Sequence, residues 1–219
     1  KKGVLLQRRD NCAFVRKVYG EVVMMIFNRV PKQDIFFYII DEINRLCGRV
    51  YPVSDFVVTK SVGEVGDLEP SEGKDKNDKP CYKIGDYKIK LLPEDPEERE
   101  KQFKLKNCNT ERDYYLRSLP AQAQLAEKMK ERGQLVAAGS RIEYVITTTG
   151  GHLAKQYEKV ESSEYFSRHS RSLELDYLYY LKQLSNPLDQ VLDIMFEDKE
   201  FTLKQYKVRL QFEKVLAQL

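Results

Sequence analysis

The sequence predicts an α+β fold: a mostly helical chain with a small β element and a charged insertion. Three observations carry this. From Tyr177, apolar residues recur at Leu181, Leu184, Leu188, Val191 and Met195, four or three positions apart, the period of one helix face. Arg141 to Thr148 is rich in β-branched side chains, Ile142, Val145, Ile146 and Thr147, as a strand favours. Between Glu64 and Pro80 the character changes: Gly66, Pro70, Gly73 and Pro80 stand among alternating charges, with almost nothing to bury.

The remaining elements follow in order. Asp10-Asn11 can cap a helix whose apolar face is Val15, Val18, Val22 and Met25, ended by Pro31. A second helix is read from Ile35, Ile39, Ile43 and Leu46, with Gly48 as its stop. Phe56 to Thr59 is a short extended segment. Residues 64–80 form a loop, Tyr82 to Leu92 a hairpin around Gly85-Asp86, and Pro93 to Lys106 a solvated helix. Compact structure resumes at Leu119, where Pro120 suits a first helical turn. That helix turns Ala123, Ala126 and Met129 inward and closes at Gly133. Gly150-Gly151 makes a turn into a second extended piece. Asn186-Pro187 kinks or restarts the long helix, and Thr202 caps a last one reaching Leu219. Three segments result: 1–63, 64–113 and 114–219.

Composition narrows the function. The chain has 219 residues, 42% hydrophobic and 32% charged, and no apolar run long enough to cross a bilayer. It opens without Met, and is expected to be a piece of a longer polypeptide. Cys12, Cys47, Cys81 and Cys108 form no CxxC pair, and His152 and His169 supply no metal-ligand spacing. Free thiols in a reducing, intracellular compartment are expected. No nucleophilic triad, HExxH motif or phosphate-cradling glycine loop occurs, so neither a catalytic nor a metal site is assigned. The net charge of +3 is uneven: residues 64–113 hold 14 acidic and 11 basic side chains, so the remainder carries +6.

A modest basic excess of this kind suits a polyanion. Lys2, Arg8, Arg9, Arg16 and Lys17 cluster near the start, and Lys128, Lys130 and Arg132 crowd a helix end. Lys60 follows one extended segment and Arg141 opens another. Basic groups at the ends of rigid elements can address phosphates without reading bases. The helix-end trio equally complements a helix dipole. Tyr177, Tyr179 and Tyr180 are expected to pack rather than stack on bases.

Five motifs carry a resemblance. Lys2-Gly3-Val4 is followed by Arg8-Arg9-Asp10, and Thr59-Lys60 ends a short apolar segment. Gly139 to Ile146 reads Gly-x-x-x-x-Tyr-Val-Ile, and Asp176 to Leu188 reads Asp-x-x-Tyr-Tyr-Leu-x-Gln-Leu-x-x-Pro-Leu. A Pro-led helix ending in Arg132-Gly133 lies between them. Together these resemble the palm edge and thumb of family B DNA polymerases, the delta-like and large-DNA-virus group, over residues 1–63 and about 114–196. Residues 64–113 are an expansion where that family has a short connection, and Ala121-Gln122 stand where many members have His-Val.

The resemblance implies a thumb that grips the primer–template duplex through its sugar-phosphate backbones, as part of a DNA-directed DNA polymerase (a nucleotidyltransferase). Lys60 is assigned toward the primer strand. Arg8, Lys128, Lys130 and Arg132 are further DNA contacts, and Arg141 is another. No cofactor is implied in this segment, and Mg²⁺ belongs to a palm beyond it. The implied partners are double-stranded DNA, the rest of the polymerase chain and a processivity factor, without a membrane, at a nuclear or cytoplasmic viral replication site. The competing reading is a standalone nucleic-acid-binding or protein-docking helical module without catalysis.

Overall fold

A computed structural model describes residues 11–151 and 154–195. The described chain divides into two compact units, one built from residues up to Thr59 and from Leu175 on, the other from Lys60 to Glu174. The expectation of a last helix from Thr202 lies outside the described residues.

The first unit is helical. α1 (Ala13–Phe27) buries Phe14, Val15, Val18 and Val22. α2 (Lys32–Cys47) buries Ile35, Ile39, Ile43 and Leu46, the face read from the sequence. α2 stops at Gly48, but the residue that turns left-handed is Arg49, with φ of 56°. The longest helix, the last one described, spans Tyr177–Met195. The Asp176 carboxylate caps it, accepting from Tyr179 N at 2.9 Å. Pro187 lies inside this helix without interrupting it. Its core stripe is Tyr180, Leu181, Leu184, Leu188 and Leu192, all buried, whereas Tyr177 and Val191 are half-buried. A 3.6-residue period drifts from the four-three alternation of the sequence pattern, which moves the stripe to Leu192. Phe14, Tyr51, Phe56 and Tyr180 form an aromatic centre, with Phe56 and Tyr180 ring centroids 4.9 Å apart. The tyrosine at 180 packs, as expected.

One strand is displaced from its expected position. Val53–Phe56 is a 3-10 turn, and the extended segment is β1 (Val58–Ser61). Lys60 therefore lies within the strand rather than after it.

The second unit holds two small sheets. β2 (Ser71–Lys74), β3 (Pro80–Ile84) and β4 (Tyr87–Ile89) form an antiparallel meander in that order. The hairpin at Gly85-Asp86 is as read. β2 replaces an expected loop: Ser71 to Lys74 has no apolar alternation, and pairing with β3 makes it a strand. The Asp75 carboxylate closes their connection by accepting from Asn77 N at 2.8 Å and Lys79 N at 2.9 Å. α3 (Pro96–Lys106), capped by Asp95, buries no residue, the solvated helix expected.

α4 (Glu111–Ser118) was not legible in the sequence. It buries Tyr114, Tyr115 and Leu116 against Val65, Leu68, Ile84, Leu92 and Cys108. The 64–113 stretch thus owns part of a core, contrary to its reading as a surface with little to bury. α5 (Ala121–Glu131) follows, with Pro120 at its cap and Gly133 left-handed after it. β5 (Arg141–Ile146) lies between β1 and β6 (Val160–Ser162) in the second sheet. α6 (Gln156–Lys159) and α7 (Ser163–Arg168) flank β6, and the long helix from Tyr177 is α8.

Candidate nucleic-acid interface

The expected phosphate-binding residues separate into two groups once the fold places them. Arg8 lies outside the described residues. Lys128 points inward: its Nζ donates to the carbonyls of Tyr157 (3.0 Å) and Val160 (2.9 Å) and to Glu161 Oε1 (2.8 Å). Arg132 makes a two-pronged pair with the same carboxylate, Nη1 to Oε2 at 2.8 Å and Nη2 to Oε1 at 3.0 Å. Its guanidinium also lies 3.9 Å over the Tyr165 ring. Burial pushes the Glu161 carboxyl up, but the hydrogen bonds from Arg132 and Lys128 outweigh it and hold the group below its ordinary value. The Glu161 side chain is 6% exposed. Lys128 and Arg132 are therefore committed to an internal ion cluster that ties the end of α5 to β6.

Glu161 gave no signal in the sequence, because its role depends on a strand meeting the end of a helix far earlier in the chain. Arg117 is likewise paired, donating to Glu158 and lying over the Tyr157 ring. Tyr157 is pushed up to about 12 by burial first and by Glu131 second.

Lys60, Lys130 and Arg141 behave differently. None has an ion-pair partner among the described residues, and Lys130 and Arg141 are exposed. Lys60 sits on β1 and Arg141 opens the neighbouring strand β5. Past β1 the pairing continues, with Val62 N donating to Ser140 O (2.9 Å) and Gly139 N to Val62 O (2.7 Å). Alternation along an extended segment puts Lys60 and Val62 on one face. Val62 and Lys130 line the same open depression, about 280 Å³, with Val65, Leu135 and the acids Glu64, Asp67 and Glu127, so Lys130 is the cation on an otherwise acidic rim. The end of β1 and the end of α5 are thus brought together around a concave surface. Leu135 on its rim is 97% exposed.

Among the described residues no three His, Cys, Asp or Glu side chains gather to hold a metal ion. All four cysteines are free thiols. No described helix is long and apolar enough to cross a membrane.

Comparison with known proteins gives the family of the chain. The family described as DNA polymerase family B matches residues 94–195. The chain belongs to the family B DNA polymerases. It is 39% identical to DNA polymerase 120R of Invertebrate iridescent virus 3 over 100% of this chain and 20% of that protein. Against DNA polymerase 037L of Invertebrate iridescent virus 6 it is 35% identical, over 90% of this chain and 17% of the relative. The DNA polymerase delta catalytic subunit of Candida albicans is 29% identical, over 90% of this chain and 14% of its own length. The chain spans about a fifth of the length of the first two curated relatives.

Proposed function

We propose that this chain is the palm edge and thumb of a DNA-directed DNA polymerase. Its task is to hold the primer–template duplex by sequence-independent contacts to the sugar-phosphate backbone. The observation that carries this reading is the set Lys60, Lys130 and Arg141. Three cations without acidic partners among the described residues stand at the ends of rigid elements in one unit of a family B polymerase chain. Ammonium and guanidinium groups held this way meet phosphates regardless of base sequence, as an enzyme that must grip every product equally requires. Lys128 and Arg132 serve the same end indirectly, since their cluster with Glu161 fixes the helix end that presents Lys130. The corollary is work at an intracellular site of DNA replication, with nucleotidyl transfer performed by parts of the polypeptide beyond this chain.

Lys60→Ala in the full-length polypeptide tests the assignment. Product length per binding event shortens, and the logarithmic salt dependence of duplex affinity falls by about 0.9, the counterion release of one lost phosphate contact. The melting temperature stays unchanged. Undiminished product length together with an unaltered salt slope would overturn it.

A further inference from the structure

The meander of β2, β3 and β4 has two unlike faces. Its register pairs Ile84 with Tyr87 and Tyr82 with Ile89, and Ile84, Tyr87 and Ile89 pack into the core with α4. Alternation sends Cys81, Lys83 and Lys88 to the opposite face, with Ser71 and Gly73 of β2 beside them. Lys83 and Lys88 are direct cross-strand partners. Like charges directly opposite one another weaken a strand pair. The acid beside them is Asp75, whose Oδ2 lies 3.9 Å from Lys88 Nζ. Its other oxygen is taken up by two backbone N–H groups. Lys83 lies flat across Gly73, where an added Cβ would meet its Cδ and Cε at 3.1 Å.

The surrounding charge makes this face distinctive. Residues 71–90 hold six lysines against four acids, while residues 91–113 hold seven acids against five basic groups. The insertion is acidic overall, yet this stretch is net positive; Lys74 pairs with Asp78 at 3.0 Å, and Lys83 and Lys88 are the cations on the face itself. This platform is also fastened. Asp86 N donates to Glu64 O (2.9 Å), Glu64 N to Asp86 Oδ2 (2.8 Å) and Gly63 N to the Tyr87 hydroxyl (2.6 Å). The β3–β4 turn is thereby bound to the segment that follows Lys60.

We propose that this lysine face is a second phosphate-binding surface, taking the backbone of double-stranded DNA, and this rests on the reading of the chain as a duplex-gripping thumb. A polyanion relieves the repulsion that the Lys83–Lys88 pair builds into the sheet. The small residues Ser71 and Cys81 leave room for a phosphodiester rail to approach, while Gly73 lets the Lys83 stem lie across the sheet. Tyr82 and Tyr87 alternate to the other face, so the lysine face offers no tyrosine on which an unpaired base could stack; that favours duplex over single strands.

The test compares two double variants of the full-length polypeptide, binding a primer–template duplex over a salt series. Lys83→Ser with Lys88→Ser makes the logarithmic salt slope shallower by about 2, on the scale of 0.9 per phosphate contact, while the melting temperature holds or rises. In the unsubstituted protein, bound duplex slows maleimide labelling of Cys81, read by mass spectrometry. If Lys60→Ala with Lys130→Ala lowers the slope but the Lys83/Lys88 variant does not, the lysine face is refuted and the thumb reading stands. If neither changes, both fail. Protection of Cys81 by polyglutamate but not by duplex also overturns the proposal, in favour of an acidic protein.

Discussion

Lys128 and Lys130 stand two residues apart on α5 and meet opposite environments. On a helix that spacing places them on different sides. One reaches two carbonyls and Glu161, while the other is exposed and has no ion-pair partner among the described residues. The sequence shows three cations at a helix end and contains no signal that a later strand will claim two of them. The claim has a measurable consequence through Glu161. Its carboxyl lies below the ordinary value of 4.5 in the folded state, so it contributes stability that is complete above that value. The contribution is lost as pH falls through the lower folded value. Glu161→Gln leaves Lys128 and Arg132 partly buried without their counter-charge. It is expected to cost about 3 kcal/mol at pH 7, with the gap to the parent narrowing as pH falls below the ordinary carboxyl value and through the lower folded one. Urea unfolding at pH 7 and pH 3 measures this; an equal gap at both would refute the ion cluster as the source.

At the scale of elements, legibility followed periodicity. α1, α2 and α8 announce themselves because their buried faces repeat every three or four residues, and the Gly85-Asp86 hairpin because its turn residues are local. β2 and α4 were hidden for opposite reasons. Ser71 to Lys74 is a strand only through its partner. Glu111 to Ser118 looks like charged linker, although Tyr114, Tyr115 and Leu116 are buried on it. The strand read at Phe56 to Thr59 slid downstream because Phe56 is needed in the aromatic centre of the first unit. How the hairpin is fastened can be tested by comparing two left-handed glycines. Gly85 has φ of 53°, and a Cβ there would lie 2.0 Å from Glu64 O, whereas Gly66, with φ of 65°, has no atom within 4 Å of an added Cβ. Gly66→Ala is expected to cost only the backbone penalty, about 1–2 kcal/mol. Gly85→Ala must also break the junction with Glu64, and should lower the thermal midpoint clearly further. Equal shifts would mean that the turn is not held against the segment at Glu64.

For the molecule as a whole, the question is whether residues 64–113 decorate the second unit or help to build it. Their composition suggests decoration, since α3 buries nothing and acids outnumber bases. Packing says otherwise. Leu68, Ile84 and Leu92 are each at most 7% exposed, and they share a core with Tyr114 and Leu116 of α4, Ala123 of α5 and Leu119 between the two helices. Burying three such side chains contributes roughly 5–9 kcal/mol, comparable with the net stability of a whole domain. Replacing residues 66–92 by a short glycine–serine linker therefore does more than remove a surface feature. It strips one wall from the core that positions α5 and, through it, Lys130. Amide exchange across α4 and α5 is expected to accelerate towards unprotected rates, with new binding of a hydrophobic dye. Helices that stayed protected would show that the insertion rides on a unit able to stand without it. The cations of α5 and β1 would then be held in place independently of the lysine face beside them.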